Sequence, residues 1–121
     1  MKNYSFDRSD KIAKQIHHDI VDILRTSVKD PRLSSWLTIN YVTVSKDLSI
    51  AKIYWSVLKD EEHYAIQRAL NNAKGFIKSK IASKFNTYTI PEIMFVYDES
   101  LQQANKIISI LDKVVIHDEE E

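Results

Sequence analysis

No cysteine occurs in this chain of 121 residues, which removes both a disulfide framework and a thiolate metal site and leans toward a reducing compartment. Glycine occurs once, so no glycine-rich loop exists to cradle a phosphate. No stretch approaches the roughly 20 apolar residues of a membrane-spanning helix, and Met1-Lys2-Asn3-Tyr4-Ser5-Phe6-Asp7-Arg8 lacks the apolar core of a secretion signal. A soluble cytoplasmic protein is the expectation. Net charge is lacking too: 17 basic and 17 acidic side chains cancel, which taken alone argues against a nucleic-acid partner.

The average conceals a segregation. Residues 63–91 carry Arg68, Lys74, Lys78, Lys80 and Lys84 with no Asp or Glu. Residues 92–121 set Lys106 and Lys113 against Glu92, Asp98, Glu99, Asp112, Asp118, Glu119, Glu120 and Glu121. The protein is expected to be electrically two-sided. The length suits one core of helices on a sheet, and a hydrophobic fraction of 44% supports a cooperative fold. A single domain over residues 1–121 is therefore expected, with residues 1–7 and 117–121 frayed.

From Ser9, a plausible N-cap, to about Lys29, Ile12, Ile16, Ile20, Ile23, Leu24 and Val28 recur at the period of an amphipathic helix, which Pro31 must end. Thr38 to Ser45 and Ser49 to Leu58 are rich in β-branched and aromatic residues, and the short Lys46-Asp47 step between them predicts an antiparallel hairpin. Tyr64, Ala65, Ile66, Ala69, Leu70 and Ala73 mark a second helix, and the pattern resumes at Phe76, Ile77, Ile81 and Phe85. Asn86 to Pro91 reads as a connection and Glu92 to Tyr97 as a third strand. Ser100 is placed to cap a last helix through Leu101, Ala104, Ile107, Ile108, Leu111 and Val115.

Gly75 interrupts the long helical pattern. A glycine inside a helix costs about 1 kcal/mol relative to alanine, so its use here alone predicts a break or kink at Ala73-Lys74-Gly75. A helix beginning after a kink would direct free amides outward as an anion site beside Lys74 and Lys78; the alternative is a packing glycine. The predicted fold class is α+β, with an αββααβ core order, a three-stranded sheet, a kinked helix pair and a C-terminal helix. That order is the one found in KH domains of the bacterial type, type II.

Four segments carry a closer likeness: Lys29-Asp30-Pro31-Arg32-Leu33, Val44-Ser45-Lys46-Asp47-Leu48, Ala73-Lys74-Gly75-Phe76-Ile77, and the run from Ile90-Pro91-Glu92 through Tyr97-Asp98-Glu99-Ser100-Leu101. In order and spacing they resemble the ribosome-binding factor A family, from about Phe6 to Glu120. The resemblance implies a non-catalytic, bacterial, cytoplasmic RNA-binding factor for the free 30S subunit. It implies help in maturing the 5′ end region of 16S rRNA and support of growth after cold shock. Other assembly factors, a GTPase among them, are candidate partners. In that family an Ala-x-Gly kink replaces the glycine loop of ordinary KH domains, and Ala73-Lys74-Gly75 matches it. His17, His18 and the acidic C-terminus depart from the family pattern.

The basic segment has two readings, a solvated helix face or a phosphate-facing surface, and the absence of acids favours the second. On a helical wheel Lys74 and Lys78 flank one side of the Ile77, Ile81, Phe85 stripe, and Lys80 and Lys84 the other. Arg8, Lys11, Arg32, Lys46 and Arg68 join the candidate RNA contacts, with surface solubility as the bland alternative. Trp36, Tyr41, Tyr54 and Trp55 invite base stacking, but a small core needs such side chains, and Tyr54 and Trp36 are the better candidates for exposure. His17, His18, His63 and His117 have no metal-ligand spacing, and no nucleophile constellation exists, so neither a cofactor, a metal nor catalysis is expected. A monomer is expected. The competing function is a protein-interaction module using the acidic C-terminal helix or a sheet edge, with the basic surface incidental.

Overall fold

The computed structural model describes residues 8–28, 30, 33, 37–57, 63–85, 90–100, 103–104 and 106–111. Its elements run α1 (Arg8–Thr26), β1 (Leu37–Val44), β2 (Ile50–Val57), α2 (His63–Lys84) and β3 (Glu92–Tyr97). Residues 100, 103–104 and 106–111 are helical beyond β3. The α+β class and three-stranded sheet are those the sequence predicts, and β3 has the predicted bounds.

β1 and β2 pair antiparallel, β2 and β3 parallel, in the order β1-β2-β3. Because side chains alternate across a strand, one face collects Leu37, Ile39, Val42 and Val44 of β1, Ala51, Ile53, Trp55 and Val57 of β2, and Ile93, Phe95 and Tyr97 of β3. Onto this face α1 lays Ile16, Ile20, Ile23 and Leu24, and α2 lays Ile66, Leu70, Ile77 and Ile81. The opposite face carries Tyr41, Ile50, Lys52, Tyr54, Met94 and Val96. The alternation in β2 thus sorts as predicted, with Trp55 wholly buried.

Trp55 needs an acceptor for its indole N–H, and α2 supplies it. Trp55 Nε1 donates to Gln67 Oε1 at 3.0 Å, while Gln67 Nε2 donates to the Phe95 carbonyl at 3.0 Å. One half-buried amide therefore fixes α2 against both β2 and β3. Beyond Trp55 an aromatic path reaches the surface: Tyr97 lies 4.8 Å from Trp55 between ring centroids, His63 stacks on Tyr97 at 4.2 Å, and exposed Tyr64 lies 4.0 Å from His63. Tyr64 is thus not on the buried stripe of α2, and His63 is half-buried.

Several local expectations differ. The second and third predicted helices form one unbroken helix, α2, with Gly75 inside it and its φ not in the left-handed region. The physical reason is phase: Ile66, Leu70, Ala73, Ile77 and Ile81 advance by steps of four, three, four and four, so one helical face stays on the core through Gly75. A glycine penalty of about 1 kcal/mol is small against that burial. Ser9 lies within α1, buried, and not at its cap, and α1 ends at Thr26, before Lys29. Thr26 Oγ1 donates to the Asp22 carbonyl at 2.7 Å, a back-bond that competes with further helix.

The hairpin turn solves its lack of glycine with side chains. Leu48 takes φ 64°, the left-handed region, held by its N–H donating to the Ser45 carbonyl at 2.8 Å. Ser45 Oγ accepts from the amides of Ser49 and Ile50. Asp47 accepts from the hydroxyls of Ser45 and Ser49, each at 2.7 Å. These bonds hold the Asp47 carboxyl below its usual range, the Ser49 hydroxyl first among them. At the other end of the sheet, a bulge between Ile39 and Tyr41 frees Asn40, which donates to Asp98 at 2.7 Å and accepts from Ser56 at 3.2 Å.

Candidate nucleic-acid interface

α2 carries every positive charge of the acid-free segment, because that segment is α2 plus the connection to β3. The two predicted flanks are real and meet different neighbours. Lys78 reaches β3, where its ammonium lies 2.8 Å from Glu92, and Lys84 reaches α1, 3.2 Å from Asp22. The Glu92 carboxyl is held below its usual range chiefly by the hydrogen bond and charge of Lys78, with a smaller contribution from Lys74. These two predicted phosphate ligands are therefore engaged within the protein.

Arg68, Lys74 and Lys80 make no ion pair among the described residues. Arg68, Asn72, Phe76 and Lys80 follow one another at steps of four, which aligns them in an exposed ridge. Phe76 had the look of a core residue, yet it is 46% exposed, and the Lys80 ammonium sits 5.5 Å from its ring centroid. Its signal was present in the sequence: Phe76 is one step before Ile77 on the wheel, about 100° off the stripe that Ile77 and Ile81 define. Gly75 lies beside this ridge with nothing within 4 Å of where a Cβ would stand, so the helix backbone is open to solvent there. The free-amide anion site expected at the glycine is absent, since the helix is continuous. Ala73 packs partly against the core.

The remaining candidates are dispersed. Arg8 and Lys11 are exposed on α1 and Lys46 at the tip of the β1–β2 turn, while Arg32 and Trp36 lie outside the described residues. Asp19 is a different surprise: 2% exposed, it accepts from Gln15 at 2.9 Å through one oxygen, while Oδ2 has no partner among the described residues. On the open sheet face Tyr41 stacks on Tyr54, centroids 4.4 Å apart and planes 17° apart. Partial burial there, then the charge of Asp98, pushes the Tyr41 phenol up. Tyr41 is thus the exposed partner and Tyr54 the more covered one. No grouping of three or more His, Asp or Glu side chains suited to a metal occurs among the described residues, and no described helix is long and apolar enough to cross a membrane.

The sequence pattern of ribosome-binding factor A matches residues 8–111, from the first turn of α1 through the helical residues beyond β3. The chain belongs to the ribosome-binding factor A family. It is 34% identical to the ribosome-binding factor A of Chromobacterium violaceum over 115 residues, covering 95% of this chain and 83% of that one. With that of Methylobacillus flagellatus it shares 36% identity over 110 residues, 91% of this chain and 86% of the relative. The crystal structure of ribosome-binding factor A from Thermus thermophilus is similar at a TM-score of 0.62 and 25% identity, covering 74% of this chain and 94% of that one. Within the ribosome-binding factor A frame, Ala73-Lys74-Gly75 forms the middle of a continuous α2 whose outward ridge is cationic and aromatic.

Proposed function

We propose that this protein is a non-catalytic, cytoplasmic ribosome assembly factor that binds the free 30S subunit through 16S rRNA. In this reading it assists maturation of the 5′ end of 16S rRNA late in small-subunit assembly and supports growth in the cold. The observation that carries the RNA contact is the ridge on α2, where Arg68 and Lys80 make no ion pair among the described residues and lie on either side of an exposed Phe76. Cations of this kind attract phosphates without reading sequence, and an exposed ring offers a surface on which an unpaired base can stack. Family membership supports the ribosomal target.

Lys78 and Lys84 then form a second rank. Each is within reach of RNA but must exchange a carboxylate for a phosphate. Sedimentation of the purified protein with mature 30S subunits, 70S ribosomes and subunits carrying immature 16S rRNA tests this function. Association with free small subunits that weakens steeply as salt rises is expected, and failure to pellet with any small subunit would overturn it.

A further inference from the structure

Strand β1 forms one edge of the sheet, and that edge is open among the described residues. Ser45 gives its amide to the Ile50 carbonyl, so by the alternation of an antiparallel ladder Thr43 and Tyr41 turn their main-chain groups to β2, while Val44 and Val42 turn theirs outward. On the other side of the bulge, Trp55 spends its carbonyl on Asp98, toward β3, so its β1 neighbour Ile39 is turned out as well, and Leu37 with it. Their side chains face the core, yet all four are only half-buried, whereas Ile93 and Phe95 of the opposite edge strand are 1% and 5% exposed. The core is left ajar along β1.

α1 runs beside this edge and makes it one wall of a groove. Near Tyr41 and Val42 a hollow of about 260 Å³ is lined from α1 by Asp10, Ala13, Lys14 and His17. Near Leu37 and Ile39 a second, of about 110 Å³, is lined by Val21, Leu24 and Arg25, with Leu33. The helix is thus antiparallel to the strand and sets His17, Val21 and Arg25, about one turn apart, along the groove. Val21 is 40% exposed, an apolar step between two hydrogen-bond donors. Arg25 makes no ion pair among the described residues, and the neighbouring Asp22 is held by Lys84. The one acid lining either hollow is Asp10, a turn before Lys14.

We propose that this groove binds an extended peptide segment of a partner protein, added to β1 as a fourth strand and bearing the pattern acid-x-apolar-x-acid. The spacing sets the pattern. Four residues of α1 advance about 6 Å and two residues of a strand about 6.6 Å, so every second side chain of the added strand meets the next of His17, Val21 and Arg25. Main-chain bonds to the outward groups of Leu37, Ile39, Val42 and Val44 supply affinity, and the alternate side chains supply selection. RNA has no ladder of amides and carbonyls to offer such an edge. A second copy suits it poorly, because the bulge splits the edge into two short lengths and edge-to-edge pairing would set another Lys14 and Arg25 against the first. The groove shares no residue with the α2 ridge, so this inference and the RNA-binding reading fail separately.

The test is a titration of the isotope-labelled full chain with the peptide Thr-Glu-Thr-Val-Thr-Glu-Thr, followed by amide shifts and hydrogen exchange. Binding is expected to shift the amides of Ile39, Val42 and Val44 and to slow their exchange, while Thr43, whose amide is already spent on β2, keeps its rate. The double variant His17→Glu and Arg25→Glu, its fold read from the same spectrum, should bind this peptide about tenfold more weakly or worse and take up Thr-Lys-Thr-Val-Thr-Lys-Thr instead. Equal binding of the two peptides to the wild type, shifts confined to other surfaces, or no shift at millimolar peptide would overturn the proposal. So would edge shifts that single-stranded RNA produces and the peptide does not, or that appear on concentrating the protein alone, which assign the edge to RNA or to a second copy.

Discussion

The Lys78 ammonium stands 2.8 Å from the Glu92 carboxylate, tying the cationic helix α2 to the edge strand of the sheet. The pair is solvent-exposed, so it contributes little to stability. Its main consequence is for binding, because a lysine already holding a carboxylate must leave it to hold a phosphate. Glu92→Gln is therefore expected to tighten binding to 16S rRNA and to steepen its salt dependence by up to about 0.7 in log–log slope for single-stranded RNA. Filter binding over a salt series measures both. A weaker complex would contradict this account of the flank.

Gly75→Ala separates the two roles a glycine can have. The helix is continuous through Gly75 and nothing lies within 4 Å of the added methyl. The variant should gain about 0.5–1 kcal/mol of stability, read from the urea midpoint. If the open backbone there is used by RNA, the more stable variant should bind less tightly. Destabilisation would show that the helix needs the glycine.

The Trp55–Gln67 hydrogen bond predicts a coupling. Gln67→Leu leaves a fully buried indole N–H without its acceptor and should cost about 1–3 kcal/mol. In a Trp55→Phe background, where no donor remains, the same substitution should cost less. A double-mutant cycle by chemical denaturation supplies the difference, and additive costs would contradict the role given to Gln67.

Asp98 predicts an acid sensitivity. The hydrogen bond from Asn40, then those from Ser100, lowers its carboxyl below the usual range. A group depressed in the folded state contributes in full above its unfolded value of about 3.9 and loses that contribution as pH falls through the lower folded value. Asp98→Asn should therefore flatten the decline of the urea midpoint below about pH 4. Solvent screening keeps the effect small. An unchanged decline would dismiss the link between strand bulge and helix cap.

Much of the fold was legible because its signals are local. The apolar period of α1, the β-branched runs of β1 and β2 and the proline before β3 each specify their element within a few residues. Gly75 misled for the opposite reason: its local penalty is real, but the in-phase stripe from Ile66 to Ile81 is a tertiary preference that outweighs it. The site was legible as charge and illegible as pairing. No sequence feature announces that Lys78 meets Glu92 or that Lys84 meets Asp22, since those contacts depend on how α2 lies against β3 and α1. Phe76 was hidden by its company, an aromatic next to three core positions, although its angle on the wheel gave it away.

The central claim is that the cationic helix α2 holds small-subunit RNA through its lysines. Its most direct test is sedimentation with 30S subunits of the wild type and of a variant with Lys74, Lys78, Lys80 and Lys84 all changed to Ala, folding being checked by circular dichroism. The variant is expected to stay folded and remain in the supernatant while the wild type pellets. A folded variant that pellets as the wild type does would contradict the claim.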